Sequence, residues 1–293
     1  MGTTTISNEM ETHGLVTKFI RIFSVPIMNH VSPEFLKKMM RSTSHDSKTV
    51  VQNTGTAAAL DAMYTRHQRG LFSRGIMQGL ADLFWHHCFS QPKALRNRLA
   101  LVEMNMDEEI LRLTRIDDTR LIKIISVGGG SMRALIQSIN RISQERHLNI
   151  KVLNIDKDER AIDAGKKLAG EFDSTDLFDW IRGDARNLKT LISGGDFFDI
   201  AEMVGLLDYF SEESGAELIR SVYNILKPGG VFIVANVHPN EEMPFVTNLG
   251  WPFMYYREPK DLKKLLVEAG FSSEPDIIFE PLKVHIIAKV SKI

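Results

Sequence analysis

A single cysteine, Cys88, in 293 residues leaves no partner for an intrachain disulfide and no cysteine-rich zinc site, which fits a reducing compartment. A lone cysteine of this kind reads as a small buried hydrophobe. Net charge is also lacking: 36 Lys and Arg against 37 Asp and Glu give −1, so no global field draws in a polyanion and nucleic acid is not the expected partner. No stretch approaches the roughly 18 uninterrupted apolar residues of a membrane span. Met1 to Ser7 lacks the basic segment and apolar run of a secretory leader, and Ile6 stands where amino-terminal acylation wants Ser or Thr. His86 and His87 are adjacent, so on a helix they point to different faces and make no metal pair. The expectation is a cytoplasmic protein without a resident metal, its oligomeric state unstated by the sequence.

What is present changes character near residue 120. Before it, apolar residues recur at helical spacing: Leu15, Phe19, Ile22 and Phe23 form one stripe, and Ala57, Leu60, Met63 and Tyr64 another. Gln91 to Leu113 reads as one long helix with Pro92 in its first turn. After it, short apolar strands alternate with amphipathic helices. The strands read as 122–127, 151–155, 180–183, 197–203, 231–236, 277–279 and 284–290, with helices near 132–146, 158–170, 185–193, 213–226 and 259–269. Such alternation specifies parallel strands with crossover helices. The last two strands are joined by four residues, too few for a crossover, so they must pair antiparallel. The predicted fold is a doubly wound, seven-stranded, mostly parallel α/β sheet over residues 119–293, preceded by an all-helical domain over residues 1–118.

The first strand runs into Gly128-Gly129-Gly130-Ser131-Met132-Arg133 and then a helix. A glycine-rich turn there lets backbone approach a ligand, and the helix behind it presents free amides. As a nicotinamide fingerprint it fails, because Arg133 occupies the place of a third small residue. A merely tight turn is the bland alternative. Asp156 ends the second strand, where a carboxylate can accept hydrogen bonds from both hydroxyls of a ribose. Asp184 ends the third, where it can take an adenine amino group while the Ala185 amide meets a ring nitrogen. Either aspartate, taken singly, also suits a helix N-cap. The fourth strand closes with Asp199 through Phe210, and its end borders the place where chemistry would occur. Leu226-Lys227-Pro228-Gly229-Gly230-Val231 then gives a helix end, a tight turn and an apolar fifth strand.

With these residues together, the C-terminal part resembles the class I S-adenosylmethionine-dependent methyltransferases. The resemblance implies S-adenosylmethionine as cofactor, with Gly128, Gly129, Gly130, Asp156, Lys157, Asp184, Ala185 and Met203 as its binding residues. Two positions depart from the family pattern: Ser126 stands where an acid is usual, and Met132 where glycine or alanine is usual. The segments around Gln91–Leu99, Val204–Tyr209, Asn236–Asn240 and Trp251–Arg257 are similar to a narrower bacterial group that includes enzymes making hydroxy fatty-acid methyl esters. That likeness implies methyl transfer to a small molecule, with the carboxylate of a hydroxy fatty acid as one acceptor.

A carboxylate needs no general base, only a cationic or hydrogen-bonding clamp. Tyr209, His238 and Arg257 are the candidate catalytic residues, and Asn236, Trp251, Tyr255 and Tyr256 the candidate acceptor contacts, since they follow strands four and five on the edge where such sheets bind ligands. Core packing for Tyr209, an ion pair with Glu258 or Asp261 for Arg257, and simple solvation for His238 are the bland readings. Arg96, Asn97 and Arg98 either reach the site from a helical lid or pair on the surface. The acidic run 107–109 reads as a solvated face. The rival function is a cofactor-binding regulatory protein without catalysis.

Overall fold

The computed structural model describes residues 10–65, 75–192 and 197–293; the leader and acylation readings at Met1–Ser7 lie outside them. The chain forms two compact units. The first combines Met1–Ala100 with Pro239–Phe253 and Phe279–His285, and the second combines Leu101–His238 with Met254–Ile278 and Ile286–Ile293. The units therefore do not divide the chain at one point.

The first unit holds α1 (Leu15–His30), α2 (Pro33–Thr43), α3 (His45–Gln52), α4 (Ala57–Tyr64), α5 (Ile76–Cys88) and the start of α6 (Ser90–Ile116). The short helix Met243–Asn248, numbered α11 below, returns to it from far along the chain and stacks Phe245 on Phe89 at 4.5 Å beside Trp85. The α6 amino terminus is satisfied from that returning segment: Glu242 accepts Ser90 N–H at 2.8 Å and Gln91 N–H at 3.2 Å. Arg21 of α1 neutralises the cap, 2.5 Å from Glu242 Oε1, and also pairs with Glu241. A buried carboxylate needs both kinds of partner.

Arg96, Asn97 and Arg98 are committed inside this unit. Arg96 pairs with Glu11 and donates to Met63 O at 2.9 Å, Asn97 donates to Glu280 Oε2 at 3.1 Å, and Arg98 to Tyr64 Oη at 3.1 Å. All three are buried, which corrects the expectation of side chains reaching into a site or pairing on the surface. Cys88 is buried with a free thiol, and burial raises its pKa.

In the second unit, β1 (Ile122–Val127), α7 (Arg133–Ser143), β2 (Ile150–Asp156), α8 (Glu159–Glu171), β3 (Phe178–Arg182), α9 (Leu188–Leu191), β4 (Phe198–Val204), α10 (Glu212–Ile225) and β5 (Leu226–Val237) alternate as expected. After α11 of the first unit come α12 (Pro259–Ala269), β6 (Asp276–Phe279) and β7 (His285–Ser291). The strand order is β3-β2-β1-β4-β5-β7-β6, with β1–β2, β1–β4, β2–β3 and β4–β5 all parallel. Gly229 and Gly230 exchange hydrogen bonds with Lys292, joining the start of β5 to the end of β7 as antiparallel strands do. The doubly wound fold is therefore the one present. All but the last residue of β4 are buried, as parallel strands covered on both faces require.

Local chemistry sets the helix ends. Asp158, at the N-cap of α8, accepts from Arg160 N–H at 3.0 Å; Ser211 caps α10, which carries Glu212 and Glu213 in its first turn. Pro259 opens α12 and Gly270, at φ 117°, closes it. Of the acidic run on α6, read as a solvated face, only Glu108 is exposed. Asp107 binds Arg141 and Ser138, Glu108 binds Lys289, and Glu109 is buried against Arg112.

Candidate functional site

After β1 the chain turns through three glycines. Gly128 and Gly130 have φ of 64° and 56°, left-handed backbone that glycine adopts without a Cβ clash. Gly129 is needed for space: a Cβ there would lie 2.0 Å from Ser126 Oγ and 2.7 Å from Asn154 Oδ1. Gly130 N–H donates to Asp156 Oδ2 at 2.8 Å, and Met132 N–H to Gly129 O at 2.8 Å. Met132 is buried at φ 48°, a conformation that costs an L side chain on the order of 1 kcal/mol. The family pattern favours glycine or alanine at this position, and the backbone gives glycine a physical reason.

Beneath the loop lies a polar row that the sequence reading does not assign. Asn154, Ser126 and Glu202 are register partners across β2, β1 and β4, all buried. Ser126 Oγ donates to Glu202 Oε2 at 2.5 Å, and Asn154 Nδ2 to Gly130 O at 3.2 Å. Asn154 Oδ1 is buried without a hydrogen-bond partner. The sequence signal is Asn and Glu inside otherwise apolar runs; only the register sets them side by side.

Asp156 ends β2 half-buried, its carboxylate also accepting Asp158 N–H at 2.8 Å, and Lys157 beside it is exposed. Asp184 caps the turn Ala185–Asn187: the Arg186 guanidinium, as close as 2.5 Å, and the Arg186 amide at 2.9 Å hold its carboxyl down at about 2. It thus takes the N-cap reading and remains partly open to solvent. Ala185 and Met203 are buried.

The edge beyond β4 and β5 is knitted together. Asp208 accepts Val237 N–H on its side chain and Tyr255 N–H on its carbonyl, both at 2.7 Å. Asn236 donates to Tyr255 O at 2.9 Å. Arg257 is buried and donates to Asn236 Oδ1 at 2.6 Å, Leu207 O at 3.1 Å and Phe210 O at 2.5 Å. Arg257 is thus neither an open clamp nor in an ion pair with Glu258 or Asp261, and Asn236, expected as an acceptor contact, has its side chain bonded to Tyr255 O and Arg257. Tyr209 and Tyr256 are half-buried neighbours. Burial, with Asp208 and Tyr209 adding to it, pushes the Tyr256 phenol up to about 12. His238 Nε2 stands 3.1 Å from Glu258 Oε2. Tyr255 lies exposed in the second unit, whereas Trp251 belongs to the first. Among the described residues, no group of three or more His, Cys, Asp or Glu is placed to hold a metal ion, and no helix is long and apolar enough to cross a membrane.

A family model for a methyltransferase domain matches residues 126–234, from the polar row to the end of the parallel core. Among solved structures, a protein of Bordetella parapertussis described as a "possible exported protein" is 14% identical, with a TM-score of 0.65 over 96% of this chain and 99% of that one. An O-methyltransferase family protein from Burkholderia thailandensis is 15% identical, with a TM-score of 0.51 over 94% of this chain and 70% of that one. A candidate O-methyltransferase from Nostoc punctiforme is 14% identical, with a TM-score of 0.53 over 80% of this chain and 66% of that one. These likenesses establish the fold. No protein of curated function matches the sequence.

The residues present fit S-adenosylmethionine. Its ammonium and sulfonium are cationic, and the glycine cradle lies against a buried amide oxygen without a hydrogen-bond partner and against Ser126, whose hydroxyl is bonded to the buried Glu202 carboxylate. Asp156 and Asp184 add acceptors at the ends of the two neighbouring strands.

Proposed function

Starting from an S-adenosylmethionine-dependent methyltransferase, we propose that this chain methylates an oxygen of a small molecule, and that the oxygen is a hydroxyl. The observation carrying the hydroxyl is the His238–Glu258 pair, 3.1 Å apart just beyond the carboxyl end of β5. The bound cofactor supplies a methyl group already activated by its sulfonium. The protein must orient the acceptor, exclude water and take the proton a hydroxyl gives up. An imidazole beside a carboxylate is the kind of side chain that can take such a proton near neutral pH. Tyr256, its phenol kept protonated, serves as a hydrogen-bond donor, with Tyr209 and Tyr255 as the remaining acceptor contacts within the second unit.

In this reading Gly128, Gly129 and Gly130 cradle the cofactor. Asp156 and Lys157 serve its ribose end, Asp184 and Ala185 its adenine, and Met203 borders the reacting centre. Residues 1–118 are assigned to acceptor choice, and the setting to the cytoplasm. Two neighbours named as O-methyltransferases support oxygen as the first acceptor to test. A carboxylate acceptor, such as a hydroxy fatty acid, is the weaker reading, because the three bonds Arg257 makes within the protein leave little of its guanidinium for a clamp.

The test is S-adenosylhomocysteine release with phenolic, alcoholic and fatty-acid acceptors, comparing wild type with His238→Gln. Turnover of a hydroxyl acceptor that falls at least a hundredfold in the variant, within the usual span for a general base, supports the assignment. A fatty acid esterified equally by both proteins overturns the hydroxyl, and a folded wild type that does not bind S-adenosylmethionine overturns the reading as a whole.

A further inference from the structure

Helix α1 is apolar nearly all round, yet only one stripe of it, Arg21, Val25 and Met28, is buried. A soluble helix of that composition is normally covered on every side. Seven of its large apolar side chains are exposed, Leu15 at 86%, Phe19 at 65% and Phe23 at 58% among them. On α5, which packs beside α1, Ile76, Met77 and Leu80 are open too, at 71%, 79% and 51%.

Large apolar side chains of the aromatic class bury roughly 150–250 Å² each; at these exposures the two helices leave on the order of 1,000 Å² of apolar surface open. The largest patch on an ordinary monomer is about 300–600 Å², whereas each partner in a standard interface contributes about 800 Å². We propose that this α1–α5 face is the contact between two copies of the chain.

Charge selects a second copy over a lipid surface. A helix lying on a membrane keeps several Lys or Arg beside its apolar face for the headgroups. Here Arg21 points the other way, into its ion pairs with Glu241 and Glu242, which leaves Lys18 and, at the helix end, His30. There is no acidic residue in α1, and the only one in α5, Asp82, is buried. Two such faces related by a two-fold axis lay apolar side chains on one another, and neither needs an opposite charge from its partner.

Sedimentation velocity of the full chain across the micromolar range, with Phe23→Glu alongside, is the experiment. A dimeric wild type and a monomeric F23E with unchanged far-ultraviolet circular dichroism support the proposal. A second variant, Phe23→Cys, does not depend on the glutamate chain folding: Cys88 is buried, so the new thiol is the accessible one, and mild oxidation should yield a disulfide-linked pair of chains. A wild type that stays monomeric throughout, a dimer that survives F23E intact, or a monomer that floats with phosphatidylglycerol vesicles overturns it.

Discussion

Ser126 and Glu202 face each other across β1 and β4, the serine hydroxyl donating to the carboxylate at 2.5 Å in a buried site. The family pattern places an acid at the serine's position; here the acid comes from the neighbouring strand. One carboxylate fills the space, so Ser126→Asp alone would set two charges in contact away from water, at a cost of about 3 kcal/mol. Combining Ser126→Asp with Glu202→Ser should restore most of that stability. Urea denaturation of the single and double variants decides it; a single variant as stable as wild type contradicts the exchange.

Asp156 holds the loop as well as lining it, through Gly130 N–H at 2.8 Å. Asp156→Ala should weaken S-adenosylmethionine binding at least tenfold, the equivalent of about 1.4 kcal/mol. Calorimetric titration reads this directly, and unchanged affinity would remove Asp156 from the site.

Glu103 carries a pH dependence. Burial pushes its carboxyl up to about 7 against the opposing pull of Arg141, 3.1 Å away. The folded chain therefore holds a proton that the unfolded chain has already released. Its contribution is fully present below the ordinary glutamate range and is lost as pH rises to about 7. Melting temperature against pH should decline across that window in wild type, and less steeply in Glu103→Gln. Parallel curves would assign the slope to other groups.

Arg257 braces three stretches of chain at once: the turn after β4, the end of β5 and its own segment. Lysine has no planar fork to repeat those bonds. Arg257→Lys should cost about 2–3 kcal/mol, as lost buried bonds to a charged group do. Adding Asn236→Ala should cost less than the sum of the two singles, because they share a bond. Strict additivity in chemical denaturation would show the bond to be inert.

The sheet is legible because its strands are short apolar runs separated by helical stripes, and the observed limits of β1 and β2 fall within a residue of the reading. Where limits differ, local geometry is the cause. β5 begins at Leu226, ahead of the expected Val231, because Lys227 to Gly230 form a bulge: the partners of Phe198 and Ile200 are Leu226 and Val231. The expected helix 185–193 resolves into the turn Ala185–Asn187 and the four-residue α9, since Asp184 folds back on Arg186. Helix α11 has six residues, too few to show a period. The site is legible where chemistry sits at strand ends, as at Asp156. It is illegible where side chains meet only through register or tertiary bonds, as with Asn154, Ser126 and Glu202, or the commitment of Arg257.

The first unit's scattered membership sets a timetable for folding. Glu242 lies 221 positions after Arg21 in the chain, and Glu280 lies 183 after Asn97. At ribosomal speeds of roughly 5–20 residues per second, the wait for Glu242 is on the order of ten to forty-five seconds. Throughout it the α6 cap is missing and the unit cannot close, so chains stopped before residue 239 should be substrates for chaperones or proteases, however well their helices form.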